Sequence, residues 1–139
     1  MTVRLFDRNL QLVTQAMSLT QRRQALLNSN LANMDTPGYR AQDLVFEDAL
    51  MQAYHSDRPG PLKTTDARHF DGIKEEPIPL VQGQEINSFN PDPRMDGNTV
   101  NLDTEMAKMA ENQLLLQAQV RAVNYKFRTI KAAITEGGK

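Results

Sequence analysis

The side chains best suited to chemistry in this sequence are two histidines and a pair of adjacent glutamates. His55 and His69 do not have the H-x-x-x-H or H-E-x-x-H spacing that binds zinc from one helix. Asp66 lies three residues before His69, which predicts a local hydrogen bond and not a metal site. Glu75 and Glu76 are followed by proline, so we interpret them as a solvated pair and not as an acid/base dyad.

Other patterns that support catalysis are missing from the sequence. There is no cysteine, which excludes disulfides and thiolate metal sites. There is no G-x-S-x-G motif and no glycine-rich loop for a phosphate, and Ser18, Thr20 and Ser29 have no base partner. We therefore expect a protein without enzyme activity, cofactor or metal.

The composition is typical of one domain or one elongated unit. The chain has 139 residues, of which 40% are hydrophobic and 24% are charged. A net charge of −1 argues against nucleic acid as the main partner. The stretch MTVRLFDRNLQLVTQ is too polar for a signal peptide, and no run is long and apolar enough for a membrane span. We expect any export from the cytoplasm to proceed without a cleaved signal.

Residues 5–34 have the spacing of a long amphipathic helix. Apolar side chains recur in alternating steps of four and three, which predicts a coiled-coil seam. The seam residues are Phe6, Leu10, Val13, Met17, Leu27 and Leu31. A second apolar row, displaced by one residue, consists of Leu5, Leu12, Ala16, Leu19 and Leu26. So wide a stripe predicts more than one packing neighbour.

Residues 102–134 contain a second and cleaner seam, which Gln113 alone interrupts. Its apolar residues are Leu102, Met106, Met109, Leu116, Val120, Val123, Phe127, Ile130 and Ile134. Either Asn101 or Asp103 is suited to the N-cap of this helix, and a Gly-Gly pair near the end of the chain is suited to terminate it. The spacing predicts a long helix that packs through one face.

The segment between the two helices has a different character. Six of the seven prolines lie between residues 59 and 97, so loops and turns dominate there. Within this segment we predict a short helix at about residues 44–54 and extended pieces near residues 73–82, arranged as a β hairpin.

The predicted fold class is mainly α, with long terminal helices that pair as a coiled coil and a little β structure between them. We place the N-terminal helix in residues 1–34, the irregular Pro/Gly-rich middle in 35–99 and the C-terminal helix in 100–139. In an antiparallel pair, residues whose numbers sum to about 137 face each other. Gln24 then meets Gln113 as a buried amide pair that sets the register; in the alternative, both side chains reach solvent.

The stretch NSNLANMDTPGYR, residues 28–40, predicts a firm end to the first helix. Pro37 interrupts helical hydrogen bonding, and the sequence from Thr36 to Tyr39 is typical of a type II turn with a positive φ at Gly38. The residues that such a turn accounts for are Asn33, Thr36, Pro37 and Gly38. The residues that it leaves unexplained are Asn30, Tyr39 and Arg40.

The same stretch resembles the N-x-A-N-x-x-T-P-G-Y signature of the bacterial flagellar rod, hook and related axial proteins. The C-terminal text DGNTVNLDTEMAKMAENQLLLQAQVRAVNYKFRTIKAAI and the short length are similar to the proximal rod proteins of that family. The resemblance covers about residues 1–54 and 95–135. It implies an assembly signature that consists of Asn30, Ala32, Asn33, Thr36, Pro37, Gly38, Tyr39 and Arg40. It also implies that this signature lies in contacts between subunits.

The resemblance implies a structural subunit that self-assembles helically through its terminal helices to form the proximal rod, the drive shaft of the flagellar basal body. It implies type III export and a location in the rod, which crosses the periplasm. The implied partners are other copies, other proximal rod proteins, the adaptor between rod and membrane ring, and the export gate. A non-polymerising coiled-coil adaptor or export chaperone is the alternative. An enzyme on a helical scaffold would need a concave polar constellation that the sequence does not offer.

Overall fold

The computed structural model describes residues 8–55, 78–88, 90 and 94–136. The elements in these ranges are α1 (Arg8–Ala32), β1 (Gln42–Val45), α2 (Glu47–His55), β2 (Gln84–Asn87) and α3 (Leu102–Glu136). The predicted fold, mainly α with long terminal helices and a small amount of β structure, is confirmed. Several residues that the sequence singled out lie outside the described ranges: Leu5, Phe6, Asp66, His69, Glu75, Glu76, Gly137 and Gly138.

Helix α1 lies between two neighbours. It packs antiparallel against α3 on one side and against β1 and α2 on the other. The core on the second side consists of Leu19, Leu44, Phe46, Ala53, Ile78 and Val81, with Leu12, Leu26, Ala49 and Leu50 packed against it. The second apolar row of α1 supplies Leu12, Leu19 and Leu26 to this core, which confirms the prediction of more than one neighbour.

The small sheet joins two segments that flank α2 in the chain. β1 and β2 pair antiparallel, with Asp43 opposite Ile86. The predicted extended pieces near residues 73–82 lie partly outside the described ranges; residues 78–83 are irregular, and β2 follows them. The short helix predicted at about 44–54 corresponds to α2, which begins a few residues later because β1 occupies the start of that stretch.

The N-terminal end of α3 is capped by Asn101. The backbone N of Thr104 donates to Oδ1 of Asn101 at 3.2 Å, which decides between the two predicted N-caps. Asp103 and Glu105 then lie in the first turn, where the helix dipole favours negative charge. None of the helices in the described ranges is apolar over a length that could cross a membrane.

The helix pair is close to the predicted register, but α3 presents a different face. Nδ2 of Asn112 donates to Oε1 of Gln24 at 2.8 Å, while Gln113 is exposed. The predicted Gln24–Gln113 pair is therefore wrong by one residue. The physical reason is that polar contacts near the start of α3, described below, bring this adjacent face onto α1.

Candidate functional site at the junction of the terminal helices

The segment that follows α1 is a tight turn of the predicted type. The backbone N of Tyr39 donates to the carbonyl O of Thr36 at 3.3 Å, and Gly38 has a φ of 72°. A type II turn requires this left-handed φ at its third residue, and glycine adopts it without strain. The prediction of a type II turn from Thr36 to Tyr39 is confirmed.

A buried asparagine from the segment before α3 closes the end of α1. Nδ2 of Asn98 lies within 2.9–3.0 Å of three carbonyl oxygens, those of Asn33, Met34 and Thr36. Oδ1 of Asn98 accepts from the backbone N of Val100 at 2.7 Å, and the residue is fully buried. These three carbonyls belong to the turn that follows Ala32, the last residue of α1. Asn98 therefore caps this turn from a distant part of the chain.

The turn that carries Asn98 lies directly against the turn after α1. The backbone N of Gly38 donates to the carbonyl O of Asp96 at 3.0 Å, and the backbone N of Thr99 donates to the carbonyl O of Tyr39 at 3.0 Å. Gly97 also has a positive φ, of 80°. No pattern in the sequence singles out Asn98. The sequence DGN, residues 96–98, predicts a turn, but it does not predict what the turn contacts.

Asn30 is fully buried and links α1, β1 and α3. Its Nδ2 donates to the carbonyl O of Gln42 at 2.7 Å and to Oε2 of Glu105 at 2.8 Å. Its Oδ1 accepts from the backbone N of Gln42 at 3.0 Å and from the hydroxyl of Tyr39 at 3.3 Å. These bonds occupy both donors and both acceptor positions of the amide. They explain the presence of Asn30 and Tyr39, which the turn alone left unexplained.

The burial of Asn30 limits what its side chain can contribute directly to a contact between subunits. A fully buried side chain with a complete set of hydrogen bonds has no surface to offer to another copy. Within one subunit Asn30 thus lies in the interior, and a role of the signature in contacts between subunits stays a prediction.

Beside Asn30, charged side chains of alternating sign connect four elements. The chain of ion pairs runs through Glu47, Arg23, Asp43, Lys108 and Glu105. Nε of Arg23 lies 2.9 Å from Oδ1 of Asp43, and Nζ of Lys108 lies 3.1 Å from Oδ2 of the same carboxylate. Because these residues come from α1, β1, α2 and α3, the ion pairs fix the position of α3 relative to the sheet.

The central pair of this network is charged at neutral pH. Burial alone would raise the pKa of Asp43, but hydrogen bonds from Arg23 and Lys108 hold that pKa below its ordinary value. Burial alone would lower the pKa of Arg23, but the hydrogen bond and charge of Asp43 raise it. No sequence pattern predicts this network, because its members are far apart in the chain.

The turn after α1, the turn before α3, Asn30 and the ion pairs beside it together form the junction of the terminal helices. The remaining signature residues surround this junction. Asn33 is half-buried, whereas Ala32, Thr36, Pro37, Gly38 and Arg40 are exposed. Among the described residues, Arg40 has no partner for a hydrogen bond or an ion pair. A contact between these exposed residues and another subunit stays a prediction, with Arg40 as the side chain that the fold itself leaves unused.

The predicted seam is buried to different degrees on the two helices. On α1, Leu10 and Leu27 are buried, and Val13, Met17 and Leu31 are half-buried. On α3, an inward row at heptad spacing is half-buried, and it consists of Met109, Leu116, Val123 and Ile130. The other heptad row of the α3 seam, here called the outward row, consists of Met106, Gln113, Val120, Phe127 and Ile134. Its apolar members are between 39% and 69% exposed, and Leu102 is exposed as well.

The face of α3 nearest to α1 is polar. Its most buried residues form a third heptad row, here called the polar row, which consists of Glu105, Asn112 and Gln119. Nδ2 of Asn112 donates to the carbonyl O of Thr20 at 3.1 Å, and Nε2 of Gln119 donates to Oγ1 of Thr20 at 3.1 Å. The polar row explains why Gln24 meets Asn112 and not Gln113.

The described ranges contain no group of three His, Cys, Asp or Glu residues that could hold a metal ion. Two open grooves, of about 210 and 370 Å³, lie between α1 and α3 on either side of Leu10 and Val123. Both grooves are lined mainly by apolar atoms of the helix pair.

Comparisons with known proteins relate the whole arrangement to one family. A family model described as flagella basal body rod protein matches residues 10–40, which include most of α1 and the turn after it. The flagellar basal body rod protein FlgB of Bacillus subtilis (strain 168) is 34% identical over 135 residues, which cover 97% of this chain and 98% of that protein. The FlgB proteins of Aeromonas hydrophila and Yersinia enterocolitica are 34% identical over 129 residues and 32% identical over 136 residues. These matches cover 93% and 94% of this chain, and 94% and 96% of the relatives.

Proposed function

This chain belongs to the FlgB family of flagellar basal body rod proteins, and on that premise we propose that it self-assembles helically into the proximal rod, the drive shaft of the flagellum. Its partners in this proposal are other copies, other proximal rod proteins, the adaptor that joins the rod to the membrane ring, and the flagellar export gate. It leaves the cytoplasm without a cleaved signal and acts in the rod, across the periplasm.

The observation that carries the proposal is the outward row of α3. Its apolar side chains recur at heptad spacing and are substantially exposed, with Phe127 at 49% and Ile134 at 69%. Exposed apolar side chains that recur along one face of a helix mark a surface that another molecule covers. The row is continuous with the inward row that already packs on α1, so a further helix placed there would extend the same packing layer.

The partner that fits this row is a second copy of the chain. The complement of a heptad row is another heptad-spaced helix, and each copy presents such a helix together with the grooves beside Leu10 and Val123. Charge along α3 supports the same choice. The exposed charges are negative in its first half, at Asp103 and Glu111, and positive in its second half, at Arg121, Arg128 and Lys131. Copies staggered along the helix axis would bring opposite charges together.

The test is a count of flagellar filaments and basal-body rods by electron microscopy in a deletion strain. The strain is complemented with the wild-type gene, with Val120→Asp/Phe127→Asp, or with Gln117→Asp/Asn124→Asp. The third variant is the matched control, because it adds the same charges at exposed polar positions of the same helix. We expect rods and filaments to return with the wild-type gene and with the control, and to remain absent with the outward-row variant.

Two results would contradict the proposal. Normal rods and filaments in the deletion strain would remove the rod function altogether, leaving the non-polymerising adaptor as the function to pursue. Normal rods with Val120→Asp/Phe127→Asp would retain the rod function but remove the outward row as a contact between copies.

A further inference from the structure

We infer that Asn112 and Gln119 select the rotation of α3 on α1 and thereby keep the outward row of α3 free for another copy. The benefit of this selection rests on the proposed self-assembly. The rotation itself is a property of the single subunit and can be measured without assembly.

The three heptad rows of α3 lie side by side around the helix. The inward row lies between the polar row and the outward row, as the helical repeat requires. A modest roll of α3 would therefore remove the polar row from the interface and bring the complete apolar seam onto α1. Burial of apolar surface favours that roll, and the sequence pattern alone predicted the face that it would produce. In the observed rotation, the outward row of the apolar seam is not buried against α1.

The two amides oppose the roll along the length of the helix pair. Asn112 is nearly fully buried and bonds to the carbonyl O of Thr20 and to Oε1 of Gln24. Gln119 bonds to Oγ1 of the same Thr20. The contacts of Glu105 with Asn30 and of Lys108 with Asp43 hold only the first two turns of α3. The two amides extend the same rotation further along the helix.

The amides are a poor choice for stability alone. Oδ1 of Asn112 and Oε1 of Gln119 are buried and accept no hydrogen bond from a described residue. A buried acceptor without a partner disfavours the folded state. Polar residues within an apolar seam are known instead to select one packing arrangement over others. Here the arrangement excluded is the one in which α1 would cover the side chains that another copy needs.

The test measures the accessibility of the outward row in the dilute, unassembled full-length chain. The chain has no cysteine, so Val120→Cys introduces a single thiol in that row. Its rate of reaction with a maleimide is compared in three backgrounds: otherwise wild type, Asn112→Ala/Gln119→Ala, and Gln117→Ala/Asn124→Ala. The last pair removes the same two residue types from exposed positions of α3 and serves as the matched control. Circular dichroism measures the helix content of each.

We expect Asn112→Ala/Gln119→Ala to slow the labelling by about threefold or more, because the rolled helix buries the thiol, while helix content stays the same. The control should label at the wild-type rate. Labelling that is unchanged or faster in Asn112→Ala/Gln119→Ala would overturn the inference. A loss of helix content in that variant would also overturn it, because the amides would then stabilise the pair and not select its rotation.

Sedimentation velocity of the chains without the added cysteine separates this inference from the proposed function. Slower labelling together with weaker self-association of Asn112→Ala/Gln119→Ala would support both. A wild-type chain that never self-associates, at any concentration or with rod fragments as templates, would contradict the proposed function and leave the labelling result to decide the rotation.

Discussion

The junction and the outward row of α3 are opposite in their physical character, although both belong to the terminal helices. At the junction, polar side chains are buried and paired: Asn30 and Asn98 are fully buried, and Asp43 is bonded to Arg23 and Lys108. In the outward row, apolar side chains are exposed on the single chain. Each region reverses the usual rule that polar groups face water and apolar groups do not.

The difference indicates a division of tasks. Buried polar groups with complete hydrogen bonds define one arrangement, because any other would leave them unpaired. The junction thus fixes the angle and register at which α1, the sheet and α3 meet. Exposed apolar groups do not determine the arrangement of elements within the subunit, and they contribute to stability only when a partner buries them. We propose that the signature residues affect assembly mainly through the shape of the subunit, and that the outward row affects it by direct contact.

The largest loss of stability should come from the cap at the junction. Asn98→Ala removes the donor shared by three carbonyls and the acceptor of the Val100 N–H, and the side chain that provides them is fully buried. We expect the free energy of unfolding to fall by about 3 kcal/mol, the cost of leaving such groups without partners. Urea unfolding followed by circular dichroism measures it. Asn124→Ala, at an exposed position of α3, should change it little; equal losses in the two variants would contradict the role of Asn98.

The next effect contrasts the two faces of α3 within one helical turn. Val123 is half-buried against α1, whereas Val120 is 39% exposed. Val123→Asp should lower the free energy of unfolding by about 2 kcal/mol, because it places a charge between the helices. Val120→Asp should lower it by less than about 0.5 kcal/mol and still abolish self-association in sedimentation velocity. Equal unfolding energies for the two variants would mean that the inward and outward rows are not distinct.

A smaller effect concerns the turn at the junction. Gly38→Val should lower the free energy of unfolding by about 1–2 kcal/mol, because φ is 72° there and a branched side chain is strained in that region. A Cβ at this position would meet no atom within 4 Å, so crowding is not the cause. Gly38→Asn is the control, because asparagine tolerates a positive φ. A loss as large with asparagine as with valine would show that backbone conformation is not responsible.

The smallest effect is the pH dependence of the ion pairs. Since the pKa of Asp43 is lowered by its partners, its contribution to stability is present above its unfolded value of about 3.9 and is lost as the pH falls through the lower folded value. The free energy of unfolding should stay level from neutral pH to about pH 5 and then fall as the solution becomes more acid. Asp43→Asn should show a shallower fall below about pH 4. An identical fall of the free energy of unfolding below about pH 4 in both proteins would contradict the stabilising role of this carboxylate.

What the sequence could predict depends on the range of the interaction. The helices, the type II turn and the cap at Asn101 follow from residue spacing and local chemistry, and the structure contains all of them. The partners of Asn30 and Asn98 could not be predicted, because these side chains bond largely to backbone groups that have no pattern in the sequence. The predicted face of α3 was wrong for a related reason. Hydrophobic periodicity places the apolar seam inward. The bond between Asn30 and Glu105 and the ion pair between Lys108 and Asp43 turn the polar row inward at the start of α3 instead, and the bonds of Asn112 and Gln119 continue this rotation.

The central claim is that the outward row of α3 touches another copy of this chain. It is tested most directly in assembled rods that contain Val120→Cys labelled with a thiol-linked photo-activatable cross-linker. Gln52→Cys, at an exposed position of α2, is the control. We expect irradiation of Val120→Cys to yield a product of twice the chain mass, in which mass spectrometry finds peptides of two copies joined. Gln52→Cys should yield no such product. Cross-links from Val120→Cys that stay within one chain, in rods that have assembled, would contradict it.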